Sequence, residues 1–518
     1  MFAMSLGVVC PAANLLHAAD CAAMKNLKLV DTTISNAERV SSGDVNDIDT
    51  PLHGLPVFCR VTGVLRPTSD SEIWFEVWIP EDGWNGRFLG VGNGGFAGSI
   101  YYQQLAGNLK RGFATAGSDA GHAAEAEDAS WAFGHPEKIK DFGWRAVHLT
   151  AVRAKEIVAA YYGKPATKAY FDSCSDGGRE ALMEAQRFPE DYDGILAGAP
   201  ANNWVHMVSS GVDVAQTTRR DPRAYISSLK LPAIQQASLA ACDAQDGVKD
   251  GIINDPRQCH FDPEVLLCKG EETIDCLTKP QVNSLKKYYQ GGVDAQGKSI
   301  LRGFTPGDET GWREWVVGHG PGSASGDGYV RNYFRYMVSG DPTWNVLTAN
   351  VDASLKQAAV ATGAALDATN SDLSNFAARG GKLVIYHGWN DQAISPWNSI
   401  AYYESVENNM GAEKASSFVK LYMAPGVEHC TSGPGPSFFG QFGLPTSGVA
   451  KFGVFDALVD WVEKGTQPQS VVATKYAPGS DGANKVAMTR PLCPYPQVAK
   501  YKGTGDTNDA ANFSCSAE

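Results

Sequence analysis

Serine acts as a nucleophile only where a base stands beside it, and the stretch FDSCSDGGRE, residues 171–180, holds a serine in a setting suited to that chemistry. Apolar residues lead up to Ser175, a turn follows, and Ala181, Leu182, Ala185 and Phe188 then recur on one helical face. A nucleophile on such a strand–turn–helix needs small residues two before and two after it, because the backbone passes so close. Those positions are Ser173 and Gly177, so G-x-S-x-G appears as S-C-S-D-G with its first glycine replaced. An ordinary serine in a glycine-rich turn would read the same from the pentapeptide alone.

Order along the chain adds to the case. In a sheet enzyme of this kind serine is followed by an acid and then a histidine, each at a strand end. Asp391 follows the apolar run KLVIYHGWN, and His429 follows FVKLYMAPGVE. The imidazole would take the hydroxyl proton, and the carboxylate would fix its tautomer. His122, His148 and His387 are bases by type, but none follows a late strand after the acid, so they read as structural. Asp172 and Asp176 lie too close in sequence to Ser175 to orient a histidine.

Two cysteines flank this pair: Cys174 precedes Ser175 and Cys430 follows His429. If they bond, their Cα atoms stand roughly 4.4–6.8 Å apart, which clamps serine against histidine. The loop-entropy contribution would be ~5 kcal/mol as an upper figure. Alternatively the two pair elsewhere, or Cys174 is only a small buried residue.

The chain has eleven cysteines, none in a C-x-x-C pair, which favours disulfides over zinc. Residues 1–19, mostly apolar from Met4 to Ala19 and ending in small residues, read as a secretory signal, although no Lys or Arg precedes Lys25. A lipidated Cys10 is the weaker alternative, since Val9 fits poorly before it. Losing Cys10 with the signal leaves Cys21, Cys59, Cys174, Cys242, Cys259, Cys268, Cys276, Cys430, Cys493 and Cys515, an even set expected to be fully bonded. Cys493 and Cys515 read as a local pair. No other apolar run approaches the ~18 residues that span a membrane, so a secreted or periplasmic protein is expected.

A net charge of -13 and a pI near 5.3, with no basic block, argue against nucleic acid as a partner. With 518 residues the chain exceeds one small core. FCRVTGVLRP and SEIWFEVWIP read as an antiparallel pair, after which strands alternate with helices, the mark of a mostly parallel sheet. The alternation stops after GILAGAP and resumes at KLVIYHGWND. The expected organisation is therefore a catalytic domain at 20–205 and 376–518, and an inserted lid domain at 206–375 over the carboxyl edge of the sheet. The tail beyond residue 465 reads as a surface segment. Within the insertion, Trp312, Trp315, Tyr329, Tyr333, Phe334, Tyr336 and Trp344 offer rings for stacking, or form the lid's own core. Arg331 and Arg335 offer charge for a substrate carboxylate, or make surface salt bridges.

One loop of the insertion, CDAQDGVKDGIINDPRQC, gathers Asp243, Asp246, Asp250 and Asp255. So many carboxylates repel unless a hard cation collects them, and oxygen ligands suit Ca²⁺. A solvated acidic loop with two Asp-Gly turns is the alternative.

The pattern C-S-x-G-G-R-[EQ]-A-L with a later H-C resembles the tannase and feruloyl esterase family. The likeness runs through RFLGVGNGGFAG, GSDAGH, DASWAFGHPEKIKDFGWRAVH, YFDSCSDGGREALMEAQRFPEDYDGILAGAPA, YHGWNDQAISP and GVEHC. It implies an α/β-hydrolase fold with a large inserted lid domain, a Ser175–Asp391–His429 triad and a Cys174–Cys430 disulfide. It implies a structural Ca²⁺ held by Asp243, Asp246 and Asp250 and the carbonyls of Val248 and Ile252, with Cys242–Cys259 closing that loop, and no organic cofactor. The oxyanion would be held by the N–H of Asp176 and that of Gly94 or Gly95 in GNGGFAG. A phosphate-binding reading of those glycines is the weaker one, because no Lys follows and neither glycine fingerprint is matched at the required spacing. Asp176 departs from the small neutral residue expected there, and its carboxylate must point away or be paired if it is not to oppose the oxyanion. The implied function is a serine carboxylesterase for small aromatic or phenolic esters. The alternatives are a phthalate or terephthalate monoester hydrolase within the family, and an exported binding protein of the same fold without turnover.

Overall fold

The computed structural model describes residues 20–442, 453–477 and 485–517. The expected leader, 1–19, lies outside the described residues.

β1 (Thr32–Val40), β2 (Phe58–Leu65) and β3 (Ile73–Pro80) form an antiparallel ladder. β4 (Arg87–Gly90), β5 (Ala114–Ser118), β6 (Lys168–Cys174) and β7 (Gly194–Gly198) follow, joined through helices. A long helical segment intervenes, holding only the hairpin of β8 (Gly292–Val293) and β9 (Ser299–Leu301). β10 (Lys382–Gly388) and β11 (Val419–Ala424) then rejoin the sheet.

The nine strands lie in the order β1-β2-β3-β5-β4-β6-β7-β10-β11. Every pairing from β5 to β11 is parallel, as strands connected through helices must be. Helices cover both faces, so β6, β7 and β10 are buried almost throughout and read as continuous apolar runs rather than alternating ones. Because β4 pairs with β6, the glycine-rich loop after β4 emerges beside the turn after β6. Because β10 pairs with β11, the loops after those strands are neighbours as well. The sheet thus delivers four loops to one carboxyl edge. This is the α/β-hydrolase arrangement, with a large insertion between β7 and β10.

The insertion is not uniform inside. Residues between Ile226 and Val317, including Leu231, Ile234, Val282, Leu285 and Trp312, pack into a hydrophobic cluster of their own. Tyr333, Phe334, Met337 and Leu366 instead join the core that lies against the sheet.

Beyond residue 465 the chain differs from the expected surface segment. β12 (Val471–Tyr476) pairs with β13 (Val486–Leu492), and β14 (Val498–Tyr501) with β15 (Phe513–Ser516). Val471, Ala473 and Leu492 are buried, and Cys493, Ala499 and Phe513 cluster with Val248 of the acidic loop. The tail is therefore packed against the insertion's acidic loop.

Five disulfides join Cys21 to Cys59, Cys174 to Cys430, Cys242 to Cys259, Cys268 to Cys276, and Cys493 to Cys515. No helix among the described residues is long and apolar enough to cross a membrane.

Candidate active site

Ser175 sits between β6 and the helix Asp176–Arg187 with φ 67° and ψ -124°. That left-handed conformation is costly for a residue with a side chain, and it lifts the hydroxyl out of the turn. The tightness explains the neighbours. A Cβ on Gly177 would fall 2.0 Å from Ser173 Oγ, and one on Gly178 would fall 2.2 Å from the carbonyl of Gly198. Ser173 is tolerated where glycine is usual because Gly177 leaves it the room.

His429 Nε2 lies 2.8 Å from Ser175 Oγ, and His429 Nδ1 lies 2.8 Å from Asp391 Oδ2. With Nδ1–H donating to the carboxylate, Nε2 is left to accept the serine hydroxyl. Asp391 is buried, and its other oxygen accepts the amides of Ala393 and Ile394, each at 2.8 Å. His387 Nε2 also approaches Asp391 Oδ2, at 3.2 Å. Burial alone would raise the Asp391 carboxyl, but the two histidines outweigh it and hold that carboxyl well below the usual range. The Cys174–Cys430 bond sets its Cα atoms 6.0 Å apart, directly beside the serine and the histidine.

The other histidines are engaged elsewhere. His387 also reaches Ser399 Oγ and the carbonyl of Ile394. His122 meets the carbonyl of Phe96 and stacks on Trp131, and burial pushes its pKa down to about 4. Asp172 accepts the amide of Phe442.

The amide N–H groups of Asp176 and Gly95 meet no protein acceptor among the described residues. Both residues, with Ser175, line one cavity of about 180 Å³. Gly94 is backed by Tyr101, whose hydroxyl lies 2.0 Å from where its Cβ would be. The Asp176 carboxylate is turned into the core, where Oδ1 accepts from Arg179 Nε at 2.6 Å. Burial raises that carboxyl, and the Arg179 guanidinium opposes the rise. Arg179 is itself fixed by the carbonyls of Phe142 and Gly143.

A further acid serves this site that the sequence did not single out. Glu180, fully buried, accepts the amide N–H of Asn93 at 2.9 Å, and the Asn93 carbonyl accepts the N–H of Gly177 at 2.8 Å. The glycine-rich loop is thereby tied to the turn that carries Ser175. Burial, then the Asp176 charge, pushes the Glu180 carboxyl up to about 8. Its i+4 placement behind Asp176 was the available signal.

The chain matches the sequence profile described as tannase and feruloyl esterase over residues 59–516. It belongs to that family. An uncharacterised esterase of Xanthomonas campestris is 43% identical to it, over 96% of this chain and 91% of the relative. The mono(2-hydroxyethyl) terephthalate hydrolase of Piscinibacter sakaiensis is 34% identical over 89% of this chain and 85% of that protein. The structure of feruloyl esterase B from Aspergillus oryzae superposes with a TM-score of 0.87, at 29% identity, covering 96% of this chain and 99% of that one. Membership of an esterase family makes the chain a carboxylic ester hydrolase.

For this family member the cavity wall differs in part from expectation. Trp315 and Tyr329 line it, stacked on each other with ring centres 5.6 Å apart, and Trp204 joins them. Trp312, Tyr333, Phe334, Tyr336 and Trp344 do not; they pack inside the insertion or against the sheet. Arg331 and Arg335 are likewise absent from the wall, Arg335 donating instead to the carbonyl of Trp344. The arginines on the wall are Arg219, paired with Asp327, and Arg302.

In the acidic loop, Asp243 Oδ1 accepts the amides of Asp250 and Gly251, and Asp246 Oδ1 accepts that of Val248. Asp250 Oδ2 meets Arg490 Nη2 of the tail at 2.5 Å. Burial pushes Asp246 up to about 6, with Asp250 and Asp243 adding to the rise, and it raises Asp250 too. Carboxylates crowded in this way fit a hard cation, which would relieve their repulsion. Another acidic group able to hold a metal lies elsewhere: His148, Glu184 and Asp191 bring ligand atoms within 4.8 Å of one another. There Asp191 is bonded to His148 Nδ1 and Lys155 Nζ.

Proposed function

We propose that the chain is a serine carboxylesterase acting on aromatic esters through an acyl-enzyme. The carrying observation is the hydrogen-bonded run Ser175–His429–Asp391, opening at Ser175 onto an apolar cavity walled by Trp204, Trp315 and Tyr329. Ser175 Oγ attacks the ester carbonyl while its proton passes to His429 Nε2. The negative oxygen is held by the N–H groups of Asp176 and Gly95. Collapse expels the alcohol, which leaves with that proton. Water then attacks the acyl-enzyme, gives a proton to His429, and the acid departs as Ser175 recovers its hydrogen. Asp391 holds the imidazole and stabilises its charged form throughout. Relatives named for feruloyl and terephthalate esters support an aromatic acyl group.

The lid, 206–375, covers the catalytic domain of 20–205 and 376–518 in this reading and supplies Trp315 and Tyr329 of the aromatic wall, Trp204 coming from the catalytic domain. Ca²⁺ would be held by Asp243, Asp246 and Asp250 with the carbonyls of Val248 and Ile252, and it would supply stability rather than chemistry. Five disulfides support export to the periplasm or beyond.

A fluorophosphonate probe tests the nucleophile. It should label Ser175 and hydrolysis of a simple aryl ester should fall by as much as ~10⁶ in Ser175→Ala. Retention of most activity in that variant would sink the reading. Methyl gallate, methyl ferulate and a terephthalate monoester, compared as substrates, resolve the acyl preference.

A further inference from the structure

The cavity wall carries four charged residues: Asp176, Arg219, Arg302 and Asp327. Three have partners, Asp176 with Arg179 and Arg219 with Asp327. Arg302, an exposed side chain at the edge of that wall, meets no carboxylate among the described residues. It is nevertheless held in place. Its guanidinium carbon lies 3.4 Å from the centre of the Trp397 ring. That contact uses the flat face of the fork and leaves the in-plane N–H edges free, the edges that bind a carboxylate through two parallel hydrogen bonds.

The backbone beneath is fixed as well. Phe304 donates its amide to the carbonyl of Tyr288 at 3.0 Å, and Ser395 Oγ donates to the carbonyl of Gly303 at 2.9 Å. A Cβ on Gly303 would fall 2.0 Å from the Tyr288 carbonyl, so the segment is pressed against the helix Lys279–Gln290. Ser395 in turn belongs to the loop that carries Asp391. Arg302 is thus tied to the frame of the reacting groups and does not sweep through solvent on a free loop.

We propose that Arg302, stacked on Trp397, is a carboxylate-binding subsite of the ester cavity, and that the favoured substrates are aromatic esters bearing a free carboxylate besides the ester. The subsite rests on the esterase reading above. It adds specificity by attraction on the cavity wall of an otherwise acidic protein, whose net charge of -13 would repel such anions elsewhere.

The test compares paired substrates that differ only in the carboxylate. One arm places it on the acyl side, the monomethyl ester of benzene-1,4-dicarboxylate against methyl benzoate. The other places it on the alcohol side, the benzoyl ester of glycolate against ethyl benzoate. In the wild type at least one arm should show a higher kcat/KM for the anionic member, and the preference should shrink as salt is added. In Arg302→Gln that ratio should fall on the order of tenfold, through KM, with Arg302→Lys keeping more of it than Gln does. Because the ratio is taken within one enzyme preparation, it does not depend on how much of a variant folds. A wild type without preference in either arm, or a ratio unchanged in Arg302→Gln, overturns the proposal. Binding gives a readout independent of turnover: benzene-1,4-dicarboxylate should quench tryptophan fluorescence of Ser175→Ala protein more tightly than benzoate does. Failure of hydrolysis with that difference in binding intact would strike the esterase reading and leave the subsite standing.

Discussion

Cys174 and Cys430 are bonded beside the Ser175–His429 hydrogen bond, and each adjoins one residue of the proposed triad, Ser175 on one side and His429 on the other. The bond closes a loop with a sequence separation of 256, so removing it should cost up to ~5 kcal/mol in chain entropy. Its placement has a second effect, because Ser175 and Cys430 both hold positive φ angles of 67° and 65° that the bond helps maintain. Replacing both cysteines by serine should therefore lower kcat at temperatures where the variant is still folded by circular dichroism. Loss of kcat only in proportion to unfolded protein would mean the bond is a general staple.

Glu180 should make stability depend on pH in an unusual direction. Its carboxyl is pushed up to about 8 in the folded chain, against a value near 4.5 when free. The folded state then keeps a proton that the unfolded state releases, so this contribution is complete below about pH 4.5 and is lost as pH rises toward 8. Glu180→Gln keeps a carbonyl for the Asn93 amide and removes the titration. Its melting temperature relative to wild type should rise between pH 5 and pH 8, by the equivalent of a few kcal/mol, roughly, at most. Glu180→Ala also strands a buried amide, at about 1–3 kcal/mol, and should lower kcat more than the glutamine variant does. A parallel pH dependence for Gln and wild type would contradict this account.

The residues around Ser175 were legible because a strained turn restricts what stands beside it: Gly177 and Gly178 have no room for a Cβ. Asp391 and His429 were legible because parallel strands end at one edge, which leaves sequence order as a guide to position. β1 was not, since Ile34 and Ala37 are its buried residues and its other side chains carry no apolar alternation. The wall of the cavity was not legible either. Trp315 and Tyr329 face it while Trp312 and Phe334 fill cores, and identical ring chemistry cannot separate those fates before the insertion is folded. Glu180 and the His148–Glu184–Asp191 group escaped notice for a related reason, since both depend on elements distant in sequence coming together.

Trp315 should control how well aromatic substrates bind. Its ring lies flat on Tyr329 and 5.8 Å from the His429 imidazole, so it forms wall and cover beside the reacting groups. Trp315→Ala should raise KM for an aryl ester by about tenfold, with a smaller change for a short aliphatic acyl ester. Equal losses on both substrates would indicate that Trp315 acts on His429 rather than on the bound ring.

The acidic loop and the tail share a fate that calcium should reveal. Asp250 faces Arg490 of β13, and Val248 packs with Cys493, Ala499 and Phe513, so whatever steadies the loop also steadies the last strands. A site loaded at about one hundred times its dissociation constant stabilises by ~2.7 kcal/mol. In a chain of this size that corresponds to roughly 2–3 °C of melting temperature. Chelation with EDTA should remove that increment and restore it on adding Ca²⁺, while kcat measured well below the transition stays the same, because the loop touches none of the reacting groups. Amide exchange should speed up in Val498–Tyr501 and Phe513–Ser516 on chelation, ahead of the central strands. Asp246→Asn should show neither the calcium response nor the difference in exchange, and a chelated wild type that melts at the same temperature as the loaded one would remove the metal from this account.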